Sequence, residues 1–289
     1  MPKFLILTLL LLNSIKAFGL YTFEVQGHRG ARAERPENTI SAFEYALNLG
    51  VDTLELDLNV TKDDVLVITH DPHINFGICK LDSGFTFRKK ILVRNLTVAQ
   101  IKKYDCGSKK NFWFPKQVPQ PHERIPTFEE FLIWLTTHPS PFARTVKLNI
   151  ETKSELAHPE YAPEPLKFSG MVLSLLKKYG MFSRSTLQSF DYRTLLAARA
   201  LDPSTRISAL MNNRPKSFPD LVNTLKMDIV SINHQKLRLQ DVEVLHQLGV
   251  QVIPWTPNSV TSWKRLVNMG VDGMISDDPR RLLLFRDSL

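Results

Sequence analysis

The sequence predicts an α/β fold, a (β/α)8 barrel of eight parallel strands. Short β-rich runs alternate with stretches whose apolar residues recur at helical spacing. Three of these helical stretches end at a glycine just before a strand, at Gly50, Gly249 and Gly270, which is typical of αβ units feeding a parallel sheet. A chain of 289 residues also suits one closed barrel, since such a domain takes about 250 residues.

The predicted strands share β-rich composition and short length. They are Phe23–Gly27, Thr53–Leu58, Val146–Glu151, Thr186–Ser189, Arg206–Leu210, Ile229–Ile232, Gln251–Trp255 and Gly273–Ser276. Residues 60 to about 125 break the alternation: a strand-like Val65–Thr69 precedes a region rich in Pro, Gly and Lys and a short helix near Val98–Tyr104. We interpret this stretch as an insertion after the second strand, at the mouth of the barrel, where long loops are usually functional.

The first nineteen residues have the layout of a secretory signal peptide. Lys3 precedes an apolar run, Phe4–Leu12, and Ala17 and Gly19 occupy the positions expected before a cleavage site. The run is shorter than the roughly 20 residues that a membrane-spanning helix needs. The sequence therefore predicts a signal peptide at 1–19, a barrel domain at 20–289, and an exported protein, periplasmic or secreted, without stable membrane insertion.

Charge and cysteine content restrict the class only weakly. The formal charge of +8 suits anionic substrates or surfaces, but the basic residues do not form the stripe expected of a nucleic-acid-binding protein. Cys79 and Cys106 are the two cysteines of the chain. In an oxidising compartment they are a possible disulfide, and the alternative is two buried thiols too far apart to bond.

Three carboxylates are predicted to converge at one end of the barrel. In the second strand Glu55 and Asp57 alternate with leucines, so both acids project from one face. Glu151 ends the next barrel strand in the same way. Because the carboxyl ends of barrel strands form the active-site face, the three acids can gather around a hard divalent cation, Mg²⁺ or Ca²⁺. The alternative for any one acid is a solvated rim charge or a salt bridge.

Two histidines are placed to accompany these acids. His28 follows the first strand directly, between Gly27 and Arg29, and His70 follows the strand-like Val65–Thr69. Two imidazoles at the mouth of one cleft can act as an acid–base pair in phosphoryl transfer.

Eight short motifs occur together in the chain, each weak alone and specific in combination. They are Gly27-His28-Arg29-Gly30, Pro36-Glu37-Asn38-Thr39, Glu55-Leu56-Asp57, His70-Asp71, Ile125-Pro126-Thr127, Asn149-Ile150-Glu151-Thr152-Lys153, Gln188-Ser189-Phe190 and Val271-Asp272-Gly273. In this order they resemble the glycerophosphodiester phosphodiesterase family, within the phospholipase-C-like barrel superfamily. The resemblance covers essentially all of the chain after residue 19.

The resemblance implies hydrolysis of small-molecule glycerophosphodiesters to an alcohol and sn-glycerol 3-phosphate. It implies one divalent cation on Glu55, Asp57 and Glu151, and acid–base roles for His28 and His70. Head group, choice of cation and oligomeric state are left open.

Further residues are implied to contact the substrate. Arg29 and Lys153 match the basic residues that bind the phosphate. Trp255 matches an aromatic residue near the glycerol, although a purely packing role is an equal alternative. In the motif near Pro36, either Asn38 or Thr39 is expected to cap the first helix.

Two other functions remain open from sequence. A lipid-directed phospholipase D on the same barrel would need an apolar groove, and the aromatic residues of the insertion either line such a groove or form the insertion's own core. They are Phe76, Phe85, Phe87, Phe112, Trp113 and Phe114. A non-catalytic barrel that binds polyol phosphates is the third possibility, although such proteins usually lose a ligand or a histidine.

Overall fold

The computed structural model describes residues 22–83 and 90–289. The predicted signal peptide at 1–19 lies outside these residues, as do Phe85 and Phe87. The strands are β1 Glu24–Gly27, β2 Thr53–Val60, β3 Leu66–Ile68, β4 Lys80–Leu81, β5 Tyr104–Asp105, β6 Lys147–Thr152, β7 Ser185–Ser189, β8 Arg206–Met211, β9 Ile229–Ile232, β10 Gln251–Val252 and β11 Gly273–Ser276. The α-helices are α1 Ile40–Leu49, α2 Val98–Ile101, α3 Phe128–Thr137, α4 Pro165–Lys178, α5 Tyr192–Leu201, α6 Phe218–Leu225, α7 Leu239–Gln247, α8 Val260–Met269 and α9 Pro279–Arg286.

The predicted barrel is confirmed. Eight parallel strands follow one another in the order β10-β9-β8-β7-β6-β2-β1-β11, and β3 adds an antiparallel partner to β2. Strand β10 is shorter than predicted because Pro254 has no backbone N–H to continue its ladder. Trp255, one residue further on, forms isolated bridges to Asn233 on one side and Ile275 on the other, so the two ends of the sheet approach each other.

Local sequence signals place the helix boundaries. Thr39 caps α1, because its side chain accepts a hydrogen bond from the Ala42 N–H. Thr127 and Glu130 form a reciprocal capping box at the start of α3. Gly50 and Gly270 end α1 and α8 at φ +76°, a left-handed conformation that glycine adopts without steric cost. The next strand begins three residues after each of these glycines, at Thr53 and at Gly273.

Alternation along the strands separates the apolar core from the polar interior of the barrel. Leu54, Leu56 and Leu58 are fully buried and belong to the main core, which lies between strands and helices. The intervening side chains of β2 point toward the barrel axis, as the period of two requires. The barrel axis is therefore the polar part of the molecule.

The segment after β2 has a small core of its own. Its buried residues are Val67, Ile74, Cys79, Val93, Ile101, Tyr104, Cys106 and Ile125. A disulfide joins Cys79 and Cys106, and β4 pairs with β5 beside it. The helix expected to reach Tyr104 stops at Ile101, and Tyr104 instead begins β5. In the described residues, no helix combines the length and apolarity that crossing a bilayer requires.

Candidate active site

Three buried carboxylates meet where β2 and β6 lie side by side. The register pairs Asp57 with Glu151, two residues beyond the pair formed by Glu55 and Asn149. One carboxylate oxygen from each of the three acids lies within 4.8 Å of the others. The two stretches predicted to converge are thus adjacent in the sheet.

The surroundings of Glu55 hold its carboxylate in a fixed orientation. One oxygen accepts the backbone N–H of Arg29 at 2.7 Å, and the other accepts Nε2 of Gln188 at 2.8 Å. Burial and the neighbouring Asp57 raise the pKa of Glu55 well above its ordinary value. A charged Glu55 therefore requires compensation from a cation.

Asp57 and Glu151 differ in how their charge is stabilised. Asp57 is buried, yet Arg29, whose Nε lies 3.3 Å from Oδ2, and the hydrogen bond from Asn38 hold the pKa of Asp57 below its ordinary value. Burial raises the pKa of Glu151, although Lys153, 2.7 Å from its Oε1, opposes this effect. Glu55 and Glu151 therefore have raised pKa values, and ionising them at this site is unfavourable without a cation.

These residues fit a hard divalent cation. Oδ1 of Asp57 is buried without a hydrogen-bond partner, and Lys153 Nζ lies 4.0 Å away. A buried carboxylate oxygen left unpaired between two other carboxylates is the arrangement that a cation relieves. An all-oxygen donor set is also the type that Mg²⁺ or Ca²⁺ prefers.

A polar ladder runs through the barrel interior beneath Glu55. The Gln188 side chain that donates to Glu55 accepts from Nδ2 of Asn149 at 3.1 Å. The same Nδ2 donates to Gln26 at 2.8 Å, and Gln26 in turn donates to Glu24 at 2.8 Å. Oδ1 of Asn149 has no partner. The ladder therefore connects the acidic centre with the opposite end of the barrel.

Arg29 lies in the turn after β1, deep in the site. Its guanidinium donates to Glu37 at 2.6 Å, and its own backbone adopts φ +51°. Burial opposes ionisation, but Glu37 and Asp57 outweigh it and raise the pKa of Arg29. Gly30 follows at φ +84°, and a Cβ there would lie 2.7 Å from the Ala42 carbonyl carbon, so the turn requires glycine.

His28 has a carboxylate partner that sequence reasoning missed. Nδ1 of His28 lies 2.5 Å from Oδ1 of Asp277, and Oδ2 of Asp277 accepts Nδ2 of Asn258 at 2.6 Å. Burial lowers the pKa of His28, although Asp277 opposes this shift. Burial would raise the pKa of Asp277, but His28 and Arg32 hold it at about 2. Asp277 directly follows β11, and its place at the carboxyl end of a barrel strand was the available signal.

His70 has a similar but more exposed partner. It follows β3, and its Nδ1 lies 2.8 Å from Oδ1 of Asp71. About a third of the His70 side chain, 32%, is exposed. Burial would raise the pKa of Asp71, but the hydrogen bond with His70 outweighs burial and lowers this pKa. Asp71 in turn donates nothing and accepts from Asn75 at 2.7 Å, which fixes the carboxylate.

One cavity of about 610 Å³ is lined by seven of the predicted site residues, and Asp57 lies outside its lining. Those lining it are His28, Arg29, Glu55, His70, Glu151, Lys153 and Trp255. Trp255 packs edge-on against Phe190 at 5.8 Å between ring centroids, and its Nε1 donates to the Ser231 carbonyl at 3.0 Å. Gln188 also lines the cavity; it was noticed only as part of a motif, although its position on an inward-facing strand site indicated this location.

The fold and this cleft define the class of protein. A parallel barrel carries a buried acidic centre at the carboxyl ends of its strands. The side-chain cations of Arg29 and Lys153 flank it, together with two histidines that are each paired with an aspartate. Such a set neutralises anionic oxygens and moves protons, as the hydrolysis of phosphoric diesters requires.

Comparisons with known proteins agree with this class. Residues 28–281 match the model of the glycerophosphoryl diester phosphodiesterase family. The chain is 30% identical over 265 residues to a glycerophosphodiester phosphodiesterase of Caldanaerobacter subterraneus, covering 90% of this chain and 96% of that protein. It is 27% identical over 282 residues to the rat lysophospholipase D GDPD1, covering 91% of this chain and 85% of that protein.

Solved structures show the same barrel. A phosphodiesterase from Oleispira antarctica, solved in complex with its product sn-glycerol-3-phosphate, superposes with a TM-score of 0.75 at 23% identity, covering 91% of this chain and 96% of that chain. A structure from Galdieria sulphuraria gives a TM-score of 0.76 at 24% identity, covering 93% and 99% of the two chains. The chain belongs to the glycerophosphoryl diester phosphodiesterase family.

Proposed function

We propose that this protein hydrolyses glycerophosphodiesters to an alcohol and sn-glycerol 3-phosphate by acid–base catalysis with His28 and His70, assisted by a divalent cation. The observation that carries the proposal is the single cavity shared by both histidines, Arg29, Lys153 and two of the three clustered acids, Glu55 and Glu151. The named activity of the Caldanaerobacter relative supports the same substrate class.

The cation would be held by Glu55, Asp57 and Glu151. When bound, it would supply positive charge against the phosphoryl oxygens and against the charge that develops in the transition state. Arg29 and Lys153 lie beside these acids and would contact the remaining anionic oxygens of the diester.

His28 is the base in this proposal. A carboxylate only accepts hydrogen bonds, so Asp277 places the ring proton on Nδ1 of His28 and leaves Nε2 as an acceptor. Burial lowers the pKa of His28, which keeps the ring neutral near pH 7 and able to take a proton from the attacking oxygen.

His70 is the acid. Oδ1 of Asp71 lies 2.8 Å from its Nδ1 and holds the ring in place, and the protonated ring would give a proton to the departing alcohol. Because the acid protonates the leaving group and the base does not, a change of leaving group distinguishes the two histidines.

The test compares His28→Ala and His70→Ala on glycerophosphocholine and on a glycerophosphodiester of p-nitrophenol. Loss of either histidine should lower kcat on the choline diester by about 10²- to 10⁴-fold. Nitrophenolate leaves without a proton, so His70→Ala should recover most of its rate on that substrate, whereas His28→Ala should not. His246→Ala, at an exposed histidine paired with Asp272, is the matched control. Near wild-type kcat in either active-site variant would refute the assignment.

A lysophospholipase D activity is the second candidate, favoured by the 27% identity to the rat enzyme of that name. The four described aromatics of the insertion do not form one apolar groove. Phe76 packs in the small core, Phe114 lies under Arg32, and Phe112 and Trp113 are exposed. Comparing rates on glycerophosphocholine and lysophosphatidylcholine separates the two activities. Membership of an enzyme family, with both histidines and all three acids present, argues against a non-catalytic barrel.

Export is part of the proposal. The segment at 1–19 has the features of a signal peptide, and the cysteine pair is joined by a disulfide, which is a bond typical of oxidising compartments. N-terminal sequencing of the protein recovered from the medium or periplasm should begin near residue 20. Recovery of the intact chain from the cytoplasm would contradict export.

A further inference from the structure

The positive charge of the chain is concentrated in the segment after β2. Positions 76–120 contain ten Lys or Arg residues and two Asp or Glu residues. Their formal charge of +8 equals that of the whole chain, so the remaining residues carry no net charge, and they carry −2 once Lys3 and Lys16 of the predicted signal peptide are removed. A segment that carries the net positive charge of the chain favours contact with anionic surfaces.

The same segment presents two large aromatic side chains to solvent. Phe112 is 91% exposed and Trp113 is 89% exposed. Among the exposed large hydrophobics of the described residues, these two have the highest exposed fractions. Adjacent exposed aromatics on a loop are uncommon without an interaction partner, because both lose favourable burial.

Contacts at its base hold this loop in place. Nε2 of Gln117 donates to the carbonyls of Arg32 and Arg35, at 2.7 and 3.0 Å, and the Phe114 ring lies 4.6 Å from the Arg32 guanidinium. The Trp113 N–H donates to Oδ1 of Asn111 at 3.0 Å. Phe112 and Trp113, the aromatic tip of the loop, therefore stand on an anchored turn beside the active-site mouth.

Lysines flank the aromatic tip. Lys110 and Lys116 are both exposed, and in the described part of the chain neither forms an ion pair. A cleft of about 430 Å³ connects the neighbourhood of Lys110, Phe112 and Trp113 with Arg29 and His70. A surface that binds the tip would thus lie against the entrance of the catalytic cavity.

We propose that the loop 109–118 docks the protein on an anionic phospholipid membrane. Phe112 and Trp113 would enter the interfacial layer, where aromatic rings are favoured, while Lys110 and Lys116 contact the anionic headgroups. Lysines without ion pairs beside exposed aromatic rings favour a lipid surface over a protein partner. Aromatic residues that anchor a protein interface usually fill a preformed pocket on the partner. The inference does not depend on the proposed catalytic activity, since docking needs no turnover.

The test is co-sedimentation of the purified chain with vesicles of phosphatidylcholine alone or of equal parts phosphatidylcholine and phosphatidylglycerol. Binding is expected on the anionic vesicles, to weaken as ionic strength rises, and to be far weaker on phosphatidylcholine alone. Phe112→Ser with Trp113→Ser should weaken the partition by at least about tenfold. Lys110→Gln should weaken it by about fivefold.

Matched variants outside the loop separate docking from general surface effects. Leu201→Ser with Leu284→Ser removes two exposed apolar side chains from the outer helices, and Lys264→Gln removes an exposed lysine from α8. These controls should bind like the unmodified protein, and all variants should hydrolyse soluble glycerophosphocholine equally. The proposal is overturned if the anionic vesicles do not bind the protein, or if loop and control variants bind alike. Equal binding to both vesicle types would overturn the electrostatic part.

Discussion

Replacing Asp277 with asparagine should change both the protonation and the tautomer of His28. The structure fixes the outcome through Asn258, whose Oδ1 accepts the backbone N–H of residue 277 at 3.0 Å and whose Nδ2 donates to Oδ2 of Asp277 at 2.6 Å. An asparagine at 277 must therefore turn its carbonyl toward Asn258 and its NH2 toward His28. The His28 Nδ1 then has to accept, and its proton moves to Nε2, the nitrogen that does not contact residue 277.

The magnitude follows from the lost charge. Burial already lowers the pKa of His28 and the Asp277 carboxylate opposes this shift, so removing the negative charge lowers the pKa further. A well-placed general base contributes about 10²- to 10⁴-fold to a rate, and most of this contribution is lost when the base is weakened and its accepting nitrogen is protonated. We expect kcat of Asp277→Asn to fall by about 10- to 1000-fold, and the acidic limb of the pH–rate profile to shift to lower pH because the residual base has a lower pKa.

The assay is the pH dependence of kcat and kcat/KM on glycerophosphocholine, with histidine tautomers read from ¹⁵N chemical shifts. Asp272→Asn is the matched control, since it removes the partner of His246, 2.9 Å away outside the cavity. An Asp277→Asn variant that keeps its kcat, its acidic limb and the Nδ1–H tautomer would refute the reasoning. Thermal unfolding of both variants checks that the fold is retained.

Three further outcomes are expected. Adding Mg²⁺ or Ca²⁺ to chelated protein should raise the free energy of unfolding by about 2.7 kcal/mol at a hundredfold excess over Kd, and Asp57→Asn should abolish this rise in thermal melts. Gln188→Leu removes the hydrogen bond to Glu55 and should weaken cation affinity by about 10- to 100-fold in calorimetric titration, whereas Gln235→Leu at an exposed site should leave it unchanged. Cys79→Ser with Cys106→Ser opens a 27-residue separation. This double change should lower the unfolding free energy by about 3–4 kcal/mol in urea titrations, and an unchanged midpoint would contradict it.

Sequence periodicity was sufficient for the barrel and for the convergence of the acids. Alternation in β2 placed Glu55 and Asp57 on the interior face, and the same alternation in β6 placed Glu151 there. Both patterns depend only on the geometry of a strand, which the sequence expresses directly. The helix ends at Gly50 and Gly270 were predictable for the same reason, because the left-handed conformation favours one residue type.

Features that depend on tertiary contact could not be obtained in this way. The partnership of His28 with Asp277 joins residues 249 positions apart, and no local pattern specifies which acid at the mouth of a barrel meets which histidine. The aromatic residues of the insertion pose the same problem. Composition does not distinguish Phe76, which packs in a small core, from Phe112, which faces solvent, since each directly follows an asparagine.

The ladder from Glu24 to Glu55 gives the hydrogen bonds inside the barrel a fixed direction. An amide has one donating and one accepting end, and here both terminal carboxylates must receive N–H groups. Asn149 resolves this conflict by donating with both hydrogens of one nitrogen, to Gln26 and Gln188, and its oxygen remains without a partner. A change at Glu24, at the remote end, would free these amides to rotate and so alter the donor that faces Glu55. The donor that Glu55 receives at the acidic centre is thereby tied to the side chain at position 24, at the other end of the barrel.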